Sequence, residues 1–209
     1  MASCDNVAQF ADAVHGRPEL AAAFRGPDGK RVLGETIVAS ADDLGAKIPD
    51  GAYDLLYASH VLEHMRDPLG ALLSWDRVLK DNGTLFLVLP WKDATFDRFR
   101  SPNTIEDLAQ KFVRRRTLDG DAALMTDFEQ TVRSIDLDLD YGFPPGSNAD
   151  DLRRRTLASP EGMEMLHWHV FDFHLLQQLF HCLNYKVIAM DLIHPFHQFI
   201  VGVKQGPPI

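Results

Sequence analysis

The spacing of apolar residues changes several times along this chain, and each change predicts an element. Over residues 6–24, Val7, Phe10, Ala11, Val14, Leu20 and Phe24 fall at mostly helical intervals. Gly16 and Pro18 interrupt them, so two short helices are predicted. Residues 25–30 (Arg-Gly-Pro-Asp-Gly-Lys) are turn chemistry, and Val32, Leu33, Ile37 and Val38 around Gly34 predict one or two short strands over 31–39. A polar loop follows over 40–51. Residues 53–59 (Tyr-Asp-Leu-Leu-Tyr-Ala-Ser) are a compact apolar run, the pattern of a central parallel strand buried on both faces. Leu69, Leu72, Leu73, Trp75 and Val78 then recur at helical spacing over 68–79, and Asp81-Asn82-Gly83 offers residues that tolerate left-handed geometry at the helix end. Residues 84–89 read as the next buried strand, closed by Pro90.

From 91 to 165 the pattern turns polar and punctuated, which predicts an insertion acting as a lid. Within it, 104–116 reads as a helix and 136–148 as an acidic loop containing Gly and Pro. Order returns with a helix over 171–183 (Leu175, Leu176, Leu179, Phe180), a strand over 186–192, a turn at His194-Pro195 and a strand over 198–203. Strands alternating with helices require crossovers and therefore a mostly parallel sheet, and the final hairpin adds an antiparallel strand at its edge. The expected fold class is α/β, in one domain spanning 1–209 with 91–165 inserted in it.

Composition narrows the function. With 45% hydrophobic and 24% charged residues the 209-residue chain can bury a core. Its formal net charge of -9 opposes phosphate-rich partners, which argues against nucleic acid. Cys4 and Cys182 match neither a disulfide framework nor a zinc-ligand spacing, so a reducing, cytoplasmic setting is expected. No signal peptide is visible and no run approaches the roughly 18 apolar residues of a membrane span, so no membrane partner is expected.

Three segments carry a family likeness. They are residues 50–64 (Asp-Gly-Ala-Tyr-Asp-Leu-Leu-Tyr-Ala-Ser-His-Val-Leu-Glu-His), Asp67-Pro68, and 77–85 (Arg-Val-Leu-Lys-Asp-Asn-Gly-Thr-Leu). In this order and spacing they resemble the class I, S-adenosylmethionine-dependent methyltransferases grouped as the type 11 methyltransferase domain. There an aspartate opens the fourth strand, a Leu-Glu-His helix start follows, and Arg-Val-Leu-Lys-Pro-Gly-Gly leads into the fifth. Asn82 stands where glycine is commoner. His167-Trp168-His169-Val170-Phe171 is similar to the late region of the superfamily, which supplies the sixth and seventh strands. The likeness implies a Rossmann-like methyltransferase fold with an antiparallel C-terminal hairpin, S-adenosylmethionine as cofactor, and a small-molecule or glycan-type substrate.

One departure is large. Family members hold the cofactor on a glycine-rich turn after the first strand, where absent side chains let the backbone approach the ligand. Before Ile37 this chain has Gly16, Gly26, Gly29 and Gly34, with no closely spaced Gly-x-Gly after an apolar strand. The N-terminal part thus reads as truncated or degenerate, and the resemblance places only part of a cofactor site. Glu35 is its candidate for the ribose hydroxyls, and Ser40, Ala41 and Asp42 map to the adenine loop, with Ser40 where an aspartate is usual. Ser59 lies at the end of the fourth strand.

The chemistry-bearing residues cluster after that strand. His60 and His64 fall one helical turn apart with Glu63 beside His64, and His167 and His169 point the same way if extended. His60, Glu63, His64 and His169 are the candidate catalytic residues, an imidazole being suited to take a proton from a substrate hydroxyl or amine. Capping and packing account for these residues more simply than a metal does, so no metal ligands are assigned. Arg114-Arg115-Arg116 and Arg153-Arg154-Arg155 read as solvated helix faces paired with acids, though forked contacts to an anionic substrate fit them too. Trp91, Phe96 and Phe99 suit either a pocket wall or packing.

Three readings follow. The first is methyl transfer to a small molecule. The second is a non-catalytic binding or scaffold subunit that has lost the cofactor, forming a homo-oligomer or pairing with a catalytic partner over an exposed sheet edge. The third is a metal-dependent enzyme using a cluster of His60, His64, His167 and His169.

Overall fold

A computed structural model describes residues 6–8, 36–44, 47–117, 120–140, 142–158 and 160–209. Two sheets form among them. In the smaller, β1 (Asn6–Ala8) runs parallel to β2 (Thr36–Val38), with Val7 opposite Ile37. The start of the region read as helical is therefore a strand. Their backbone groups pair with β2 in a parallel ladder, which a helical pattern read locally cannot reveal. Residues 9–35, including the remainder of that expected helical region, lie outside the described residues.

The larger sheet has the order β3-β4-β6-β5, from β3 (Tyr53–Ser59), β4 (Leu79–Pro90), β5 (Tyr185–Ile193) and β6 (His197–Lys204). β3 and β4 are parallel, and β6 is antiparallel to both β4 and β5. The hairpin is present, but its antiparallel strand lies inside the sheet and not at its edge. Both edges of β6 are taken up, one by β4 and the other by β5, and on its faces Gln198, Ile200, Gly202 and Lys204 are buried while the residues between them are half-buried.

Helices α1 (Pro68–Val78) and α2 (Ile105–Thr117) follow β3 and β4 in the chain, and α6 (Phe173–Cys182) precedes β5. Asp67 caps α1 by accepting from the Gly70 amide at 2.9 Å, ahead of Pro68 in the first turn. Asp172 caps α6 through the Leu175 amide at 2.8 Å. Ala71, Leu72, Trp75 and Val78 of α1 pack with Leu175, Leu176, Leu179 and Phe180 of α6 against Leu85, Leu87, Leu89 and Ile200, forming the main core. At Gly202 a methyl group would sit 2.6 Å from the Phe180 ring, so glycine is needed for this close approach. The helix α1 ends at Val78, earlier than the Asp81-Asn82-Gly83 signal. Asn82 does adopt left-handed geometry (φ 63°), but inside a bulge where β4 shifts register against β3.

Between the strands, the segment read as an insertion holds α2 and three helices not foreseen: α3 (Gly120–Ser134), α4 (Ala149–Leu157) and α5 (Pro160–Glu164). Leu124, Phe128 and Val132 recur every four residues on α3 and anchor a second core with Leu137, Leu152, Leu166 and Trp168. Leu108 of α2 belongs instead to the main core, which ties the segment to the sheet.

A buried polar network closes the core. Lys204 Nζ donates to Asp76 Oδ2 (3.1 Å) and to the carbonyls of Asp76 (2.7 Å) and Leu79 (3.3 Å). Tyr185 OH donates to Asp76 Oδ1 at 2.9 Å, and burial together with the Asp76 charge drives the phenol above its ordinary value. Replacing Asp76 by Ala strands the Lys204 ammonium in the interior, so a loss of about 3–5 kcal/mol is expected in urea unfolding. A loss below about 1 kcal/mol would show that the network carries no structural weight.

Candidate functional site

The site begins where β3 ends. Ser59 pairs with Val88 in the parallel ladder, and His60 donates its amide to the Val88 carbonyl at 2.9 Å before turning away with φ 53°. Left-handed geometry in a histidine is uncommon and is tolerated here because the ladder fixes the residue before it. Leu62–His64 follow as a single 3₁₀ turn, not a longer helix, so His60 and His64 do not share a helical face; they flank Glu63.

Glu63 is the buried centre, 1% exposed. His60 Nδ1 stands 3.2 Å and His64 Nε2 3.9 Å from its Oε1, yet neither Oε1 nor Oε2 has a well-formed hydrogen bond among the described residues. A carboxylate removed from water without full pairing costs about 1–3 kcal/mol or more. The Glu63 carbonyl accepts from the Trp168 amide at 2.8 Å, which brings the His167-Trp168-His169 segment against the turn.

The four histidines foreseen as one cluster separate into distinct environments. His64 and His167 rings meet edge to face, centroids 4.8 Å apart. His64 Nδ1 is 3.2 Å from the Leu166 carbonyl, and His167 Nδ1 is 2.6 Å from Asp97 Oδ2. Asp97 in turn accepts from Arg100 at 2.7 Å, and Arg100 also donates to the His167 carbonyl at 2.8 Å. His60 turns the other way, its Nε2 2.9 Å from His197 Nδ1. His169 is buried with its ring near Phe171. Asp97, Arg100 and His197 were not foreseen; the three-residue spacing of Asp97 and Arg100 was the available signal, whereas His197 carried none.

Environment sets the protonation of these groups. The hydrogen bond to Glu63 raises His60 against the opposing effect of burial. Burial lowers His64, with the Glu63 charge only partly restoring it. His197 is lowered by burial and by facing His60. Burial works against ionised Asp97, but the His167 hydrogen bond and the Arg100 charge outweigh it and hold the carboxyl below its usual range.

The other foreseen residues sit beyond β2. Ser40 Oγ donates to Asp42 Oδ1 at 2.5 Å, and the Ala41 carbonyl accepts from the Trp75 indole at 2.6 Å. The Leu44 amide donates to Ser74 Oγ at 2.9 Å, so α1 holds this loop at two points. The loops after β2 and β3 thus both leave carboxyl ends of parallel strands, the usual position of ligands in such sheets. Glu35 lies outside the described residues. Of the arginine runs, Arg114 approaches Asp127 at 3.6 Å, Arg153 pairs with Glu129, Arg154 reaches Asp151 at 3.3 Å and Arg155 lies over Phe143. Phe96 packs on His167, Trp91 on Phe173, and Phe99 is exposed. A cavity of about 260 Å³ opens beside His167, lined by Phe96, Asp140, Arg155, Met165 and Leu166.

The family described as a methyltransferase domain matches residues 8–87. No curated protein matches the chain in sequence. Among solved structures it is similar to a Listeria monocytogenes protein assigned as an S-adenosylmethionine-dependent methyltransferase, at 11% identity, covering 98% of this chain and 81% of that one with a TM-score of 0.53. It is similar also to a Pyrococcus horikoshii protein, at 13% identity, covering 99% and 72% with a TM-score of 0.52. At such identities the likeness is one of fold.

Because His60 is raised, its stabilising contribution is complete below the ordinary value of 6.5 and fades as pH climbs through its raised value. NMR of the histidine ring protons in chelator-treated protein is expected to give His60 a midpoint above 6.5 and His197 one below it. Glu63→Gln should bring His60 back down; a wild-type His60 midpoint below 6.5 would refute the pairing.

Proposed function

We propose that this chain, whose residues 8–87 match the methyltransferase-domain family and whose fold is like that of a solved protein assigned as an S-adenosylmethionine-dependent methyltransferase, is a cytoplasmic class I methyltransferase acting on a small molecule or glycan-type metabolite. Among the described residues no helix is long and apolar enough to cross a membrane, and the net charge of -9 disfavours nucleic acid as substrate. One observation carries the reading: the family match ends on β4 and takes in both loops that leave the carboxyl ends of β2 and β3.

The residues at those ends suit the adenosine part of the cofactor. Ser40, Asp42 and Ser59 supply hydroxyl and carboxylate groups, and Trp75 and Ser74 hold their loop in place. Bound S-adenosylmethionine would supply a methyl group activated by a sulfonium. The chain's own residues orient the acceptor and take up its proton. His60, held by Glu63 and His197, is the half-buried group best placed for that step, with His64 behind it. His169, fully buried, supports the turn. Asp140 and Arg155 in the adjoining cavity provide an acceptor and a forked donor suited to a polyhydroxylated substrate. The segment 91–165 serves as a lid over it.

The absence of a closely spaced Gly-x-Gly favours one alternative, a subunit that no longer binds cofactor and works as an oligomer or beside a catalytic partner. Leu55 and Tyr57 on β3, each more than half exposed, offer a surface for such pairing. Titration calorimetry with S-adenosylmethionine and S-adenosylhomocysteine separates the two. Binding near micromolar, about -8 kcal/mol, is expected, weakened about tenfold in Asp42→Ala. The absence of heat with either ligand would exclude autonomous methyl transfer and leave the scaffold reading.

A further inference from the structure

We infer that Glu63, His64 and His167 form a binding site for one divalent transition-metal ion, of the kind that two imidazoles and a carboxylate select. One ligand atom from each of the three lies within 4.8 Å of the others. A tetrahedral ion with bonds near 2.0–2.1 Å needs edges of about 3.3 Å, so closure asks for small side-chain shifts and no backbone rearrangement.

Three further observations point to a cation. Glu63 is 1% exposed and neither of its carboxylate oxygens has a well-formed hydrogen bond among the described residues, so a buried acceptor at the site is unsatisfied. Both histidines have Nδ1 engaged, His64 with the Leu166 carbonyl and His167 with Asp97. That leaves Nε2 of each for an ion, in the arrangement by which carbonyls and carboxylates orient metal-bound imidazoles. Asp97 is itself fixed by Arg100, which also holds the His167 carbonyl, so the supporting layer is built and rigid.

The ligands come from two segments about a hundred residues apart, joined by the Trp168 amide on the Glu63 carbonyl. An ion here would therefore pin the turn after β3 to the strand-like segment that follows the helical insertion. Three protein ligands leave at least one coordination position open, and the cavity lined by Phe96, Met165, Leu166 and His167 adjoins it. An oxygen-bearing small molecule is the class of ligand that such a position accepts. The competing location is the half-buried pair His60 and His197, whose ring nitrogens lie 2.9 Å apart.

The full chain, stripped with chelator, is titrated with Zn²⁺ by calorimetry and with Co²⁺ by visible absorption. One ion per chain is expected, with cobalt bands of four- or five-coordinate geometry. Glu63→Gln and His64→Ala should each abolish stoichiometric binding, and Asp97→Asn should weaken it by about 10–100-fold. His197→Ala should leave the affinity unchanged. Circular dichroism and melting of each metal-free variant verify folding; Asp97→Asn, which keeps all three ligands, carries the test should a ligand variant fail to fold. Absence of stoichiometric binding to the wild-type chain overturns the assignment. So does binding that survives Glu63→Gln but is lost in His197→Ala, which would place the ion on the His60–His197 pair.

Discussion

Burial of one face of β4 and β6 beneath α1 and α6 is the constraint from which the rest of the architecture follows. A slip of one residue would turn Leu85, Leu87, Leu89 and Ile200 outward, so apolar burial fixes the register. It is pinned again at both ends of β6. Lys204 is tied to Asp76 and Leu79 at one end, and at the other the Gln198 amide donates to the carbonyls of Pro90 and Phe171. With the sheet so locked, the chain leaving β3 at His60 and the start of β6 at His197 arrive side by side, and their contact needs no stabilisation of its own.

The electrostatics of the site are a consequence of that rigidity. Glu63 is buried because the turn carrying it is clamped by Leu62 in the core and by the Trp168 amide on its carbonyl. Its charge is not neutralised by any Lys or Arg among the ion pairs of the described residues; only imidazoles approach it. An imidazole is a partner whose charge depends on pH, so the local field changes where lysine or arginine would have kept it constant. Asp97 shows the contrasting solution. Equally buried, it is paired with Arg100 as well as His167, and its ionised form is secure. The fold thus places a satisfied carboxylate behind an unsatisfied one, an arrangement more costly than packing alone requires.

Much of this was legible in the sequence, and the exceptions have physical causes. The apolar runs at 53–59 and 84–89, the Leu/Trp spacing of α1 and the Leu/Phe spacing of α6 gave strands and helices within a few residues of those observed. The run 53–59, however, expected to be central and buried on both faces, lies at the sheet edge among the described residues with Leu55 and Tyr57 exposed. Asp81-Asn82-Gly83 was read as a helix end whose residues tolerate left-handed geometry, which Asn82 adopts, but local signals could not reveal that the turn lies in a bulge of β4. The place of β6 inside the sheet depends on long-range pairing, to which a hairpin signal is blind. Leu124, Phe128 and Val132 did announce α3, yet surrounding charges masked them. At the site, the sequence offered His60, Glu63, His64 and His167 but grouped the histidines by spacing. Their actual division, His64 with His167 and His60 with His197, is set by a 3₁₀ turn and by a strand more than a hundred residues away.

On the proposed reading, cofactor recognition would draw on the same geometry. Hydrogen bonds to Ser40, Asp42 and Ser59 would contribute about 0.5–1.5 kcal/mol each, somewhat more where the carboxylate is involved. Together they fall well short of the roughly 8 kcal/mol of a micromolar complex. In the family pattern the balance comes from close backbone approach at glycines, which residues 9–35 do not offer at close spacing. On that reading the remainder would come from burying the adenine and the methionine chain against apolar surface, at about 25 cal/mol per Å². Ile37, Ala39 and Ala41 are only partly buried where they pack on the main core, so they have apolar area left to give. A cofactor held mainly by such burial would be recognised by shape more than by polar contacts, and it would discriminate weakly between the sulfonium and its demethylated product.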